Sequence, residues 1–512
     1  MNQADKSSAA PREVELKFQL PPGGRAALEA SPTLAAVEAK HCHEVTTYYD
    51  TPDCVLDNAG LTMRVRQSGD TRIQTVKSRA AGPGIATSRN EWEWQIGDDE
   101  LDVDPLVKTK ELTKVAKSIK GRLEPVFVTD IHRTTRLLHL TGITVVEVAI
   151  DEGSIEVGSA SEPVSEVELE LKGGRIGPMF RLAAELQTLA PLWISPESKS
   201  VRGWHLRTGQ TEGAQKALVP HLGRHALAAA GFQEIIDLKL GHVMANIGPT
   251  LRGDPEGVHQ IRIAIRGSRA ALKLFERHLD VAAAGRFDAG LRRFGLIFGT
   301  ARDWDVFYLE TLPAAMADLS AERLWDLSPP AEIERRAAHA AVEEALRGPE
   351  FTGLLLGIAV WAGAGVIQPG TLGDRRMGKR LGRLAPSLLE RVAGKAKKRG
   401  QHAGRLSAEG LHRLRKACKK LLYDVESLSG LYRDRAVKIY LGRCEELGAV
   451  LGGATDAVVT QRLALKLVTE SRPDLARPAN ALARWSARRR RGMLHGLKGE
   501  MKEFRDAPDF WS

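Results

Sequence analysis

Two kinds of hydrophobic patterning divide the chain. Up to about residue 210, short runs alternate apolar and polar positions with a period of two: Val14 to Phe18, Leu61 to Arg66, Asn90 to Ile96, Thr144 to Ile150 and Glu166 to Lys172. Such alternation predicts β-strands. Beyond it, long stretches rich in Ala, Leu and Arg place apolar residues at helical spacing, with few strand signals. Thr208 to Gly213 reads as a linker. The expected organisation is a β-rich domain over residues 1–209, a linker over 210–215 and an all-helical domain over 216–512.

The predicted strands have a second property. Side chains two apart on a strand share a face. Glu13, Glu15 and Lys17 therefore point one way, with Val14, Leu16 and Phe18 opposite. Arg64 and Arg66 oppose Met63 and Val65. Arg89, Glu91 and Glu93 oppose Trp92 and Trp94, and Glu166, Glu168 and Glu170 oppose Val167, Leu169 and Leu171. A half-solvated sheet explains any one of these strands. Taken together, the faces are almost wholly charged, with acids on the first and last strands and arginines between. That suits a closed sheet with a wet, charged inside and helices over its outside. Carboxylates in such a cavity hold Mg²⁺ or Mn²⁺, and Arg and Lys hold phosphate oxygens. The chemistry suggested is metal-assisted phosphoryl transfer.

Composition narrows the class. The 512 residues, 43% hydrophobic and 27% charged, are too many for one ordinary core and suit a globular protein of at least two domains. Four cysteines without a C-x-x-C pair argue against a disulfide scaffold or a Cys-rich zinc site. The N-terminal MNQADKSSAAPR has no apolar core, and the most apolar stretch, Leu354 to Gly365, is too short to span a bilayer. A cytoplasmic protein is expected. The net charge of +10 is unevenly placed. Residues 1–210 hold 25 Lys and Arg against 30 Asp and Glu, a net of −5, which leaves 49 against 34, a net of +15, in the rest. A basic half suits a polyanion partner.

Glu13-Val14-Glu15-Leu16-Lys17 resembles the E-x-E-x-K signature of the CYTH superfamily, the triphosphate tunnel metalloenzymes. The resemblance continues in order through Tyr48-Tyr49-Asp50-Thr51-Pro52, Leu61 to Arg66, Thr75-Val76-Lys77, Arg89 to Glu93, Arg133, Asp151-Glu152-Gly153, Glu166 to Glu170 and Lys199 to Gly203. It implies an α+β domain, an eight-stranded antiparallel β tunnel with flanking helices, that acts on a triphosphate with Mg²⁺ or Mn²⁺. It implies Glu13, Glu15, Asp151, Glu166 and Glu168 as metal ligands, with Glu170 a further candidate. Lys17, Arg64, Arg66, Lys77, Arg133 and Lys199 would hold phosphates, with Arg89 beside them. Glu91 and Glu93 stand open between metal binding and balancing the arginines. Members that make cyclic AMP tend to carry His-Phe just before the signature; Ala10-Pro11-Arg12 stands there instead, which disfavours a cyclase. Inorganic tripolyphosphate is the default substrate, with thiamine triphosphate and nucleoside triphosphates as alternatives.

In the second half, His259, Arg262, Arg266, Arg269 and Lys273 step by three and four, so a helix puts them on one stripe, with Ile261, Ile265, Leu272 and Phe275 on a core stripe beside it. His412, Arg415 and Lys419 repeat the steps 153 residues later, and Asp456 follows Asp303 at the same offset. Two motifs at one offset predict an internal duplication, two pseudo-symmetric helical bundles. Like charges on one stripe repel unless a polyanion is present. This half resembles a CHAD domain, the conserved histidine α-helical domain, through His259 to Arg269 and Ala301-Arg302-Asp303-Trp304-Asp305-Val306. The resemblance implies that inorganic polyphosphate binds His259, Arg262, Arg266, Arg269, Lys273, His412, Arg415 and Lys419, and adds polyphosphate granules to the expected locations. The second copy departs from the first, with Leu422 at the position of Arg269 and Thr455 at that of Arg302. Arg391, Lys395, Lys398, Arg399 and the run Arg488 to Arg491 are further basic candidates.

Gly373 to Lys379 begins like a phosphate-binding P-loop, but Arg380 stands where Ser or Thr should be and no strand precedes it. In His41-Cys42-His43, alternation puts Cys42 on the face opposite both histidines. The expected function is an inorganic triphosphatase with a polyphosphate-capturing helical domain. A rival is a polyphosphate-binding protein whose tunnel is a sensor. No nucleic-acid motif accompanies the charge, so RNA or DNA is not the expected partner.

Overall fold

The computed structural model describes residues 12–79, 84–97, 101–319, 322–365 and 375–511. Ala10, Pro11, Gly373 and Asp374 lie outside them. The chain forms two compact units, residues 1–213 with 346–360, and residues 214–345 with 361–512.

The first unit is built on β1 (Arg12–Gln19), β2 (Lys40–Asp50), β3 (Leu61–Ser68), β4 (Thr71–Ser78), β5 (Thr87–Ile96), β6 (Glu124–His139), β7 (Val145–Val157), β8 (Ala160–Gly173) and β9 (Trp193–Ile194). Their order is β5-β4-β3-β2-β6-β7-β8-β1-β9, and β1 also pairs with β5. Arg12 to Glu15 pair with Asn90 to Thr87, while Glu15 to Gln19 pair with Glu170 to Glu166. β1 therefore divides its length between two neighbours and closes eight antiparallel strands into a barrel. The two-residue β9 adds to the far end of β1. Two-residue hairpins join β3 to β4 and β7 to β8, with Gly69 and Gly158 at φ 57° and 58°. The turn type that matches strand twist requires positive φ there, which glycine adopts without strain.

The apolar faces point outward. Leu16, Phe18, Val148, Ile150, Val167 and Leu169 are buried on the outside of β1, β7 and β8, and the helix Ile176–Leu189 buries Met179, Leu182, Ala183 and Leu186. Met63, Val76 and Trp92 pack with Leu106, Leu112, Ala116 and Ile119 from short helices. On the inner face, Tyr48, Phe127, Ile131, Ile155 and Val164 form a third cluster with Trp204 of the helix Lys199–Thr208, and Tyr48 and Ile131 also line the cavity. Residues 346–360, which the sequence reading places in the helical half, cluster with this unit. Thr352 Oγ1 accepts from the Ile194 amide, and Gln187 Nε2 donates to the Pro349 carbonyl.

The second unit is helical. Its helix Pro255–Phe275 begins at Asp254, which caps it through the Glu256 amide, and buries Val258, Ile261, Ala264, Ile265, Leu272 and Phe275. The helix Ala408–Leu428 begins at Ser407, which caps it through the Gly410 amide. The bounds of these two helices are 153 residues apart at both ends. The same offset separates the starts of Val281–Asp305 and Asp434–Lys466. A π-helical turn, Val306–Thr311, follows the first of these last two, a feature no periodicity predicts. No helix among the described residues is long and apolar enough to cross a membrane.

Candidate active site

The barrel encloses a cavity of about 460 Å³. Alternation aims its lining inward: Glu13, Glu15 and Lys17 from β1, Arg64 and Arg66 from β3, Lys77 from β4, Arg89, Glu91 and Glu93 from β5, Arg133 from β6, and Glu168 and Glu170 from β8. In a closed ring of eight, β7 and β8 lie opposite β4 and β3. The two sides differ in chemistry.

On the β7 and β8 side, Asp151, Glu166 and Glu168 bring one oxygen each to within 4.8 Å of one another. Asp151 and Glu166 are 0% and 1% exposed, set behind Lys199. Lys199 Nζ donates to Asp151 at 2.6 Å, to Glu168 at 3.1 Å, and to Glu166. Arg133 grips Asp151 with Nε at 2.7 Å and reaches Glu168 at 2.9 Å. Lys17 joins Glu168 and, at 3.3 Å, Glu15. Burial raises the carboxyls of Asp151 and Glu168, but these cations outweigh it and hold both below the usual carboxylate range. Lys17, Arg133 and Lys199, expected on phosphate, thus stand among the carboxylates.

Opposite, Arg64 is 4.0 Å from Glu91, and Arg66 is 3.6 Å from Glu93 and 3.9 Å from Glu44. The Arg64 Nε has no hydrogen-bond partner among the described residues. Lys77 contacts Glu91 at 2.7 Å and both Glu13 oxygens at 3.0 Å. Burial, with Arg64 and Arg89, brings the Lys77 ammonium down to about 8. Glu91 and Glu93, left open by the sequence, both lie against cations of this side. Arg89 bridges Glu13 at 2.6 Å and Glu15 at 2.8 Å. Burial lifts the Glu13 carboxyl, but Arg89 and Lys77 overcome it and hold it at about 2. Glu13 and Glu15 therefore sit between the two sides, apart from the Asp151 cluster. Glu170 pairs with Lys172 at 2.7 Å, and Lys172 also reaches Glu147 at 3.4 Å.

Glu44, Glu147, Lys172 and Arg202 were not singled out from sequence. Cys42 lines the cavity, on the face opposite His41 and His43 as alternation predicts, and two steps further along the same face comes Glu44. Arg202 Nε donates to Glu162 at 2.7 Å, and the same guanidinium reaches Glu166 at 3.3 Å, so it fixes the wall from behind. Asp50 of the Tyr48 to Pro52 segment lies outside the cavity chemistry: its carboxylate accepts the amides of Thr51, Leu56 and Asp57 and caps the helix Val55–Asn58.

In the helical unit, His259, Arg262, Arg266 and Arg415 and Lys419 share one electrostatic neighbourhood. Burial and mutual repulsion lower all the shifted members: Arg262, beside Arg266, falls to about 10, and His259, Arg415 and Lys419 also fall. His259 Nδ1, Arg262 Nε and Arg415 Nε have no hydrogen-bond partner among the described residues. Asp303 and Asp456 hold the equivalent arginines, Arg262 at 3.4 Å and Arg415 at 3.9 Å. Arg269 and Lys273 are already paired, with Asp288 and Glu276, and His412 is exposed. Of the further basic candidates, Arg391 donates to the Leu274 carbonyl, an internal tie.

The CYTH domain family matches residues 11–204 and the CHAD domain family residues 234–465. The chain is a CYTH domain joined to a CHAD domain. Over 202 residues it is 29% identical to an inorganic triphosphatase of Haemophilus influenzae, a match covering 39% of this chain and 56% of that protein. The chain thus spans little more than half of that relative's length. Among solved structures, the CHAD domain from Ricinus communis matches with 26% identity and a TM-score of 0.49, over 58% of this chain and 98% of that one. A Hippeastrum protein described as an adenylyl cyclase with a dominant triphosphatase activity matches the chain with 17% identity and a TM-score of 0.30, over 39% of this chain and 97% of that one.

Proposed function

We propose that the CYTH domain hydrolyses inorganic triphosphate with Mg²⁺ or Mn²⁺, and that the CHAD domain binds inorganic polyphosphate through His259, Arg262, Arg266, Arg415 and Lys419. The observation that carries the first part is a closed cavity with oxygen donors on one side and Arg64, Arg66 and Lys77 on the other. The donor set fits a hard divalent ion: Asp151, Glu166 and Glu168 offer three carboxylates around a point already occupied by positive charge, the Lys199 ammonium. A bound ion would neutralise phosphoryl oxygens and acidify a water.

The chain's own residues supply the rest. Arg64, with its free Nε, and Arg66 grip phosphate oxygens in the fork geometry of guanidinium. Lys77 adds a point charge. Glu91, Glu93 and Glu44 keep those cations aimed inward. The name of the Haemophilus relative supports triphosphate as substrate. Thiamine triphosphate and nucleoside triphosphates are the alternatives.

The polyphosphate part rests on a set of half-buried basic side chains, His259, Arg262, Arg266, Arg415 and Lys419, with Asp303 and Asp456 beside them. A second reading makes the chain a polyphosphate-binding protein whose tunnel is a sensor. It is favoured by one contrast: Lys17, Arg89, Arg133 and Lys199 of the tunnel each contact two or more carboxylates, while Arg262 and Arg415 of the CHAD cluster lie at 3.4 and 3.9 Å from one aspartate each. Glu168→Gln separates the two. Turnover of tripolyphosphate should fall by roughly 100-fold or more with polyphosphate binding unchanged; wild-type turnover in this variant would remove Glu168 from the site.

A further inference from the structure

The outer face of the barrel carries a second cluster of metal-binding side chains, unconnected with the cavity. His43 on β2 and His132 on β6 are directly opposed partners in the antiparallel ladder. Their rings stack with centroids 4.7 Å apart and planes 17° from parallel. Asp130, two residues before His132 and on the same face, accepts from or shares a proton with His43, Nε2 to Oδ1 at 2.6 Å. One donor atom from each of the three lies within 4.8 Å of the others. All are accessible, and the long β2 and β6 ladder fixes their backbones. Close approach of β7 sets Asp130 in place: a Cβ at Gly153 would stand 1.9 Å from the Asp130 carbonyl oxygen, so only glycine fits.

We infer that His43, Asp130 and His132 form a surface site for Zn²⁺. Two imidazoles and one carboxylate are borderline ligands that suit zinc, whereas Mg²⁺ prefers the all-oxygen set of the cavity. Tetrahedral zinc with bonds near 2.0–2.1 Å needs donors roughly 3.4 Å apart. The exposed side chains reach that by small rotations, since two of the donors already lie closer. The fourth position is open to water or an incoming ligand. An ion there would tie β2 to β6 on the face opposite Cys42 and Arg133, which are themselves ladder partners.

The test is calorimetric titration of Zn²⁺ into the full, tag-free chain at saturating Mg²⁺, which occupies the oxygen sites. One zinc site should survive the magnesium. His43→Gln/His132→Gln should weaken it by at least about 100-fold, and Cys42→Ser should leave it intact. Both histidines are exposed, so the double variant should melt like wild type without zinc, and zinc should raise the melting temperature of wild type alone. Equal zinc stoichiometry and affinity in the double variant, or no zinc binding by wild type under magnesium, would overturn the assignment.

Discussion

Lys77 shows how burial and charge set the behaviour of one residue in this cavity. Its ammonium is charged below about 8 and neutral above, because burial and the neighbouring Arg64 and Arg89 disfavour the cation more than Glu13 and Glu91 favour it. A triphosphate needs that charge. KM for tripolyphosphate is therefore expected to rise as pH climbs through 8, approaching about tenfold per pH unit beyond it. In Lys77→Arg, which stays charged, the rise should move to higher pH. Initial-rate kinetics on either side of pH 8 check this; a flat KM in wild type would show that Lys77 does not hold substrate. At this scale most of the cavity was legible, since a period of two places every second side chain inward. What alternation could not give was pairing. Arg133 and Lys199 read as phosphate ligands, yet they sit among carboxylates: Arg133 is the ladder partner of Asp151 on the adjacent strand, and Lys199 is brought there by a helix that follows the barrel, and no local run states either pairing.

At the scale of elements, the helix Lys199–Thr208 holds the carboxylate side together. It carries Lys199 to Asp151 and Arg202 to Glu166, and Gly203 lets it lie against the barrel: a Cβ there would meet the Phe127 ring at 2.4 Å. Phe127 in turn stacks on Tyr48 and meets Trp204 edge-on. Gly203→Ala should cost about 1–3 kcal/mol of stability through overpacking and lower turnover by displacing Lys199. Urea unfolding with parallel rate measurement checks both; wild-type stability would show that the helix has room to shift. The sequence placed Gly203 in a motif without a reason for it, since the reason is a ring 76 positions away. The helices of the CHAD domain were legible in outline because apolar and basic stripes at helical spacing are local signals. The π-helical turn after Asp305 was not: it follows a buried carboxylate held by Arg335 and His339 from a distant helix.

For the whole molecule, the change of charge between halves marked two domains, and the strand-to-helix change placed the join near residue 210. No local signal marked residues 346–360 as part of the CYTH unit, since ties such as the Ile194 amide on Thr352 and the Gln187 side chain on Pro349 join residues more than 150 positions apart. A chain of residues 1–213 alone should thus be less stable than one with residues 346–360 fused to it, by about 1–3 kcal/mol for the lost hydrogen bonds and apolar cover. Equal urea midpoints would show that the segment contributes nothing to that fold.

The central claim is that the charged cavity is a metal-dependent catalyst for inorganic triphosphate. It is tested most directly by phosphate release from purified protein with Mg²⁺ or Mn²⁺, compared across tripolyphosphate, ATP, thiamine triphosphate and long-chain polyphosphate, with a chelator as control. Rapid release from tripolyphosphate that stops on chelation is the predicted result. No release from any of the four, with tight binding of long-chain polyphosphate retained, would contradict it and leave the tunnel a sensor.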